Sequence, residues 1–247
     1  KRQVRSLCAG NTADRPALSL ERGIGKWETT MKPEDLAPGV YHTLLQPQAS
    51  KGDIRRICNE AMSYGFASVC VNPKFVRLAR MELKGSDVRV CTVIGFPLGS
   101  TTTETKMMEA IKAVADGADE IDMVIDIGAA VENRFDRVEK DINMVVRSVP
   151  DHIIVKTILE TCYLTDEQIV NACLAAKRAG ADFVKTSTGF GPKGADINHV
   201  KIMRETVGSE MGVKASGGIR DFVTAVKMIE AGATRIGTSS SLRIIGR

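Results

Sequence analysis

The amino-acid sequence predicts an α/β fold, a single-domain (β/α)8 TIM barrel preceded by an N-terminal extension, and three observations carry that expectation. From about residue 33 to residue 247, eight short apolar runs alternate with amphipathic stretches at regular spacing. Such alternation implies a parallel sheet with helical crossovers, and about 250 residues suffice for one closed barrel. The runs are continuously apolar, as in strands covered on both faces. The first run continues through Tyr41-His42-Thr43-Leu44-Leu45 with no Gly-x-Gly-x-x-Gly behind it, whereas an open doubly wound sheet usually carries that fingerprint after its first strand.

Residues 1–32 show no hydrophobic period and contain Gly, Pro, Arg and Ser. They read as a mobile extension, with a targeting or docking segment as the sharper alternative. The chain opens on Lys1 rather than Met, which points to a trimmed start. The barrel is assigned to residues 33–247. Pro33 to Leu36 reads as a helical turn and Val40 to Leu45 as the first strand. Asp53 is the expected cap of a helix to about Tyr64, on which Ile54, Ile57, Ala61 and Met62 share an apolar face. Ala67 to Val71 is the second strand, and Asn72-Pro73 opens a helix to about Leu83. Val88 to Ile94 is the third strand and Thr102 to Asp116 its helix. Glu120 to Ile125 is the fourth strand; Glu120, Asp122 and Asp126 alternate there with Ile121, Met123 and Ile125, so one face is polar. A helix over Phe135 to Ser148 follows, then the fifth strand, Ile153 to Leu159. Thr165 caps a helix to Ala179, with Gln168 completing a capping box. Phe183 to Lys185, Val213 to Ala215 and Thr234 to Gly237 are the last three strands, separated by helices over Asn198 to Val207 and Asp221 to Ala231.

Composition narrows the function. The chain is 43% hydrophobic and 26% charged, an ordinary globular balance. No apolar run approaches the roughly 18 residues that span a bilayer. The net charge of +4 comes wholly from residues 1–26, so the barrel is neutral and predicts no nucleic-acid surface and no membrane partner. Six cysteines form no Cys-x-x-Cys, and the three histidines are scattered. Zinc-type spacing is missing, so no metal and no other cofactor is expected, and reduced thiols fit a cytoplasmic protein.

Three lysines stand out because lysine is almost never fully buried unless paired. Lys156, Lys185 and Lys214 each lie in an apolar strand, 29 residues apart. A strand, a helix and two loops occupy roughly 30 residues, so the spacing predicts three ammoniums at one height of the sheet. Crowded, partly desolvated ammoniums favour the neutral amine. Bringing a lysine from about 10.4 to about 7 costs roughly 4–5 kcal/mol, which a fold bears where a nucleophilic amine is needed for Schiff-base chemistry. Snorkelling lysines at strand ends are the bland alternative. Asp122 can move protons or simply form an ion pair with Lys156 or Lys214. Ser216-Gly217-Gly218 after the seventh strand and Gly237-Thr238-Ser239-Ser240-Ser241 after the eighth stand where barrels bind phosphate, often with a short helix N-terminus. Gly189 and the turn Gly191-Pro192-Lys193-Gly194 are placed to close that site. Cys70, at the end of the second strand, reads first as a small buried hydrophobe.

The strings Asp-Phe-Val-Lys-Thr-Ser-Thr-Gly-Phe, Glu-Ile-Asp-Met-Val, Val-Lys-Ala-Ser-Gly-Gly-Ile-Arg and Arg-Ile-Gly-Thr-Ser-Ser together resemble the deoxyribose-phosphate aldolase family of class I aldolases, over roughly Leu36 to Ser240. The resemblance implies metal-free, reversible cleavage of 2-deoxy-D-ribose 5-phosphate to glyceraldehyde 3-phosphate and acetaldehyde. Lys185 would form the Schiff base, Lys214 would lower its pKa and transfer protons, and Asp122 would be the acid/base partner. Thr188, Gly189, Gly217, Gly218, Gly237, Ser239 and Ser240 would bind substrate and phosphate, with Lys156 and Cys70 in the wall. A homodimer or homotetramer is expected. The family usually reads Asp-His-Thr-Leu-Leu-Lys-Pro where this chain has Tyr41-His42-Thr43-Leu44-Leu45-Gln46-Pro47. Tyr stays neutral near pH 7, which either weakens the polar network or frees the amine further. Ser241 stands where the family often has Gly, and relatives usually continue their last helix past the position of Arg247. Another Schiff-base phosphosugar aldolase, and a sugar-phosphate-binding barrel without catalysis, remain as alternatives.

Overall fold

The structure is a computed structural model that describes residues 31–247. All but the last two residues of the expected extension lie outside the described residues. Eight parallel strands close into a barrel in chain order, β8 pairing back onto β1. They are β1 (Val40–Leu44), β2 (Ser68–Val71), β3 (Arg89–Ile94), β4 (Glu120–Val124), β5 (Ile154–Ile158), β6 (Phe183–Lys185), β7 (Gly212–Ser216) and β8 (Arg235–Thr238). The shell helices are α1 (Lys51–Tyr64), α2 (Val76–Glu82), α3 (Thr103–Ala115), α4 (Ile127–Val131), α5 (Phe135–Ser148), α6 (Asp166–Ala179), α7 (Ile197–Val207), α8 (Phe222–Glu230) and α9 (Ser241–Ile244). Every strand expected from the sequence is present, with ends that move by at most one residue.

The local chemistry explains the boundaries. Ser50, not Asp53, is the N-cap of α1. Its hydroxyl accepts the Asp53 N–H, and the Asp53 carboxylate reaches back to the Ser50 N–H, so Asp53 is the third residue of a capping box. Thr165 and Gln168 form the expected box on α6. Asn72-Pro73 starts a 3-10 turn over Pro73–Phe75 before α2 proper. Two helices were not visible as separate elements: the five-residue α4, capped by Asp126, and the four-residue α9. Both are too short to show a hydrophobic period.

The core has two parts. Ile54, Ile57, Val138, Ile142, Val145, Ile169 and Met203 bury the helices against the outer face of the sheet. Inside the barrel the filling is largely polar: Glu120, Asp122, Lys156, Lys185 and Lys214 are all buried. Among the described residues, no helix is long and apolar enough to cross a membrane.

Candidate active site

Strand register sets the site. Asp122 on β4 lies beside Lys156 on β5, and Lys185 on β6 lies beside Lys214 on β7. One carboxylate gathers all three cations. Lys156 Nζ donates to Asp122 Oδ1 at 2.9 Å, while Lys185 Nζ and Lys214 Nζ both donate to Oδ2, at 2.8 and 2.7 Å. The lysines do not share one height. Lys156 is the register partner of Phe183, and Lys185 that of Ile158, so Lys156 lies one inward layer deeper. The stagger that closes a barrel offsets equal sequence intervals. The deeper layer is floored by the Phe183 ring, which Gly212 admits: a Cβ at Gly212 would lie 2.1 Å from that ring.

A second carboxylate completes the network. Glu120, two residues before Asp122 on the same face, meets Lys156 Nζ at 2.5 Å and accepts the Tyr41 hydroxyl at 2.6 Å. Its other oxygen takes Arg89, a half-exposed residue of β3, at 3.1 Å. The Tyr41 ring is stacked over Lys214, with Nζ 3.8 Å from the ring centre. The period-2 pattern pointed to Glu120, whereas nothing in the sequence placed Arg89.

The expected electrostatics are reversed at Lys185. Burial is the largest single influence and disfavours its charge, but the Asp122 carboxylate together with Cys70 and Cys91 holds the amine above the ordinary lysine value. Lys156 is held well above it for the same reason, with Glu120 adding to Asp122. Asp122 itself, although fully buried, is held well below the usual carboxylate range by its three ammoniums. The 29-residue spacing brings the cations together, but a parallel neighbour inserts the anion that answers them. Three lysines and Arg89 face two carboxylates, so cationic side chains outnumber anionic ones in this cluster.

Cys70 lies in an apolar cluster with Tyr41, Leu45, Cys91 and Val93, as its bland reading had it. Cys91, its register partner, donates to Asp122 Oδ1 at 3.3 Å. Hydrogen bonding with Cys91, aided by Lys214 and Lys185 against the cost of burial, brings the Cys70 thiol down to about 7. All five described cysteines are free thiols.

The proposed phosphate residues divide into two groups. Gly189, Gly218 and Ser239 are exposed at the C-terminal mouth, and Gly217 and Ser240 are half-buried beside them. Gly217 and Gly218 have φ of +87° and +76°, conformations that favour glycine. The loops after β6 and β7 pack backbone on backbone: a Cβ on Gly194 would lie 2.2 Å from the Gly217 carbonyl oxygen, which accepts the Ala195 N–H at 2.9 Å. Gly237 lies within β8, where a Cβ would come 2.6 Å from Ser216 Oγ and 3.1 Å from Lys214 Cε, so it leaves room first for Ser216 and then for the Lys214 stem. The Ser240 N–H is already bound to Thr238 Oγ1 at 2.9 Å. Thr188 is buried and anchored by Glu160, which accepts both its N–H and its hydroxyl. Glu160 reaches it from a left-handed backbone position, φ 52°, and the sequence carried no signal for it. Phe96 and Phe190 meet edge-on at 5.3 Å, joining the loops after β3 and β6. A cavity of about 440 Å³ between α7 and α8, lined by Ala195, Asp196, Ile197, Asn198, Lys201 and Met228, lies on the shell and not at the lysines.

Comparison with known proteins places this architecture. A family profile described as DeoC/LacD family aldolase matches residues 39–246. The chain is 56% identical over 213 residues to a deoxyribose-phosphate aldolase of Caldanaerobacter subterraneus subsp. tengcongensis, covering 85% of this chain and 92% of that protein. It is 56% identical over 214 residues to the deoxyribose-phosphate aldolase of Thermococcus gammatolerans, covering 85% and 95%. Among solved structures, a putative deoxyribose-phosphate aldolase of Coccidioides immitis superposes with a TM-score of 0.84 at 42% identity, covering 87% of this chain and 86% of that one. The deoxyribose phosphate aldolase of Aeropyrum pernix, described as a unique tetrameric structure, superposes with a TM-score of 0.81 at 37% identity, covering 87% and 91%.

Proposed function

The chain belongs to the DeoC/LacD family of aldolases, and on that premise we propose that it cleaves 2-deoxy-D-ribose 5-phosphate reversibly to D-glyceraldehyde 3-phosphate and acetaldehyde through an imine on Lys185. The observation that supports this most is the convergence of Lys185 and Lys214 on one oxygen of Asp122. Lys185 ends β6, at the mouth where barrel enzymes work, whereas Lys156 lies a layer deeper.

Lys185 is protonated at rest, so the nucleophile must be made when substrate arrives. The Asp122 carboxylate, bonded to both lysines, takes the Lys185 proton, and Lys214 gives up a proton of its own where the relay needs one. The neutral amine adds to the C1 aldehyde carbon of the open-chain sugar, and loss of water leaves a protonated imine. Its nitrogen draws the electron pair of the C2–C3 bond as that bond breaks. The C3 hydroxyl gives up its proton to the relay, and C3 leaves as the aldehyde of glyceraldehyde 3-phosphate. The remaining enamine takes a proton at C2, and water releases acetaldehyde and the free amine. Gly217, Gly218 and Ser239 at the mouth fit the phosphate, where backbone N–H groups approach an anion unhindered. Lys156 holds Asp122 from below and carries no step.

Incubating the protein with deoxyribose 5-phosphate and borohydride, followed by peptide mass analysis, tests the reading. An adduct on the peptide carrying Lys185, with acetaldehyde released when borohydride is omitted, is the expected result. Acetaldehyde release without an adduct rules out the imine, and dihydroxyacetone transfer in place of acetaldehyde release assigns the barrel to another Schiff-base aldolase. We further propose a cytoplasmic homo-oligomer. Light scattering on the purified chain measures its assembly, and a monomer removes that part.

A further inference from the structure

We infer that Tyr41 is a positioning residue for Lys214: its ring face holds the ammonium in place, and its hydroxyl, tied to Glu120, fixes the ring. The inference rests on the Schiff-base reading above. Lys214 Nζ lies 3.8 Å from the centre of the Tyr41 ring, inside the range of a cation–π contact. Its hydrogen bond goes to Asp122 Oδ2, which it shares with Lys185. Lys214 is therefore held by two different attractions. One is a carboxylate contested by the nucleophile, and the other is a neutral ring face that Lys185 does not use.

The surroundings lock this arrangement. Tyr41 is 2% exposed, and its hydroxyl donates to Glu120 Oε2 at 2.6 Å. On the neighbouring strand its register partner is Gly237, where a side chain would meet Lys214 Cε at 3.1 Å. The lysine stem thus passes beside Gly237, in space it shares with Ser216, and its head meets the ring. Lys156 Nζ lies farther off, 5.0 Å from the ring centre.

The reaction gives this contact a purpose. Whenever Asp122 takes up a proton, its attraction for Lys214 collapses. A ring face carries no titratable site at neutral pH and attracts the cation by its quadrupole, so it holds Lys214 through that step. It also accepts no N–H in the directed way a carboxylate does, which leaves the ammonium hydrogens free for substrate oxygen.

Tyr41→Phe and Tyr41→Met separate the ring from the hydroxyl at similar volume. Steady-state cleavage of deoxyribose 5-phosphate and borohydride trapping are measured on both variants, with thermal melting as the check on folding. Tyr41→Phe keeps the ring and should retain kcat within about threefold, while Tyr41→Met should lose about tenfold or more, the size a desolvated cation–π contact supports. KM should move little in either, and the Lys185 adduct should form in both. Equal losses in the two variants would move the effect to the hydroxyl and overturn the inference. So would a Tyr41→Met enzyme with normal kcat, or one that has lost the adduct while Tyr41→Phe keeps it. Should Tyr41→Met fail to fold, Tyr41→Leu is read in the same way. A wild-type protein without an adduct removes the Schiff-base reading and this inference together; an adduct in wild type beside an unaffected Tyr41→Met removes this inference alone.

Discussion

On the helical shell, Lys106 of α3 is fully buried and donates to Asp141 of α5 at 2.6 Å, while Thr103 donates to the other Asp141 oxygen at 2.8 Å. One cation meets one anion, both oxygens are satisfied, and the lysine stem fills the space beside Gly95, where a Cβ would lie 2.9 Å from Lys106 Cε. Inside the barrel, Asp122 and Glu120 answer Lys156, Lys185 and Lys214, with Arg89 also on Glu120, and the cations outnumber the carboxylates. Both clusters are buried lysine–carboxylate arrangements, and only their balance differs. A closed neutral pair has nothing to gain from losing a proton, so it acts as architecture. An unbalanced cluster can release one proton and remain paired, which is what an amine nucleophile requires.

The comparison can be broken most decisively at Lys185. Lys185→Ala should abolish both turnover and the borohydride adduct, yet leave thermal stability close to wild type, because Asp122 keeps Lys156 and Lys214. A large loss of melting temperature would mean that the barrel cluster is structural after all. Asp122→Asn should cost activity about 10²–10⁴-fold, the range of a lost proton-transfer group. It should also destabilise by about 3–5 kcal/mol, because three buried ammoniums are left to Glu120; chemical denaturation measures this.

Lys106→Met sharpens the contrast from the other side. It strands the Asp141 carboxylate and should cost about 3–5 kcal/mol of stability, while kcat per folded molecule stays near wild type. Adding Asp141→Leu should recover most of the loss. Activity that falls along with stability in Lys106→Met would erase the distinction between the two clusters.

The pH dependence of unfolding comes next. Asp122 and Glu120 are held below their unfolded values, so their contribution is present above about pH 4 and is lost as pH falls through the folded values. Lys156 and Lys185 are held above theirs, so their contribution is complete below about pH 10.4 and is lost as pH rises further. Between about pH 5 and 10 the carboxylates and lysines of the cluster should add no slope to the unfolding free energy, and a slope just above neutrality belongs to the Cys70 thiol, held at about 7. A slope near neutrality that survives Cys70→Ser would place a titrating amine in the resting cluster. The smallest effect is expected at the mouth. Gly218→Ala, at φ +76°, carries roughly 1–2 kcal/mol of backbone strain. KM for the phosphorylated sugar should rise severalfold, while that for unphosphorylated deoxyribose should stay the same.

The strand–helix alternation, the capping residue Thr165, and the positions of Lys185, Lys214 and Asp122 on strands were legible in the sequence, because periodicity and capping are local properties. The sequence also singled out Tyr41 as a departure from the family pattern, but not what the residue touches. Tertiary structure alone set the depth of Lys156, since barrel stagger does not follow from counting residues. It alone showed that Gly237 leaves room for Ser216 and the Lys214 stem, and brought Glu160 across to Thr188. The sign of the shift at Lys185 was decided in the same way. Spacing counts the charges on a chain, but a pKa depends on which groups lie within reach once eight strands have closed on one another, and there the carboxylate of Asp122, with Cys70 and Cys91, together offsets burial.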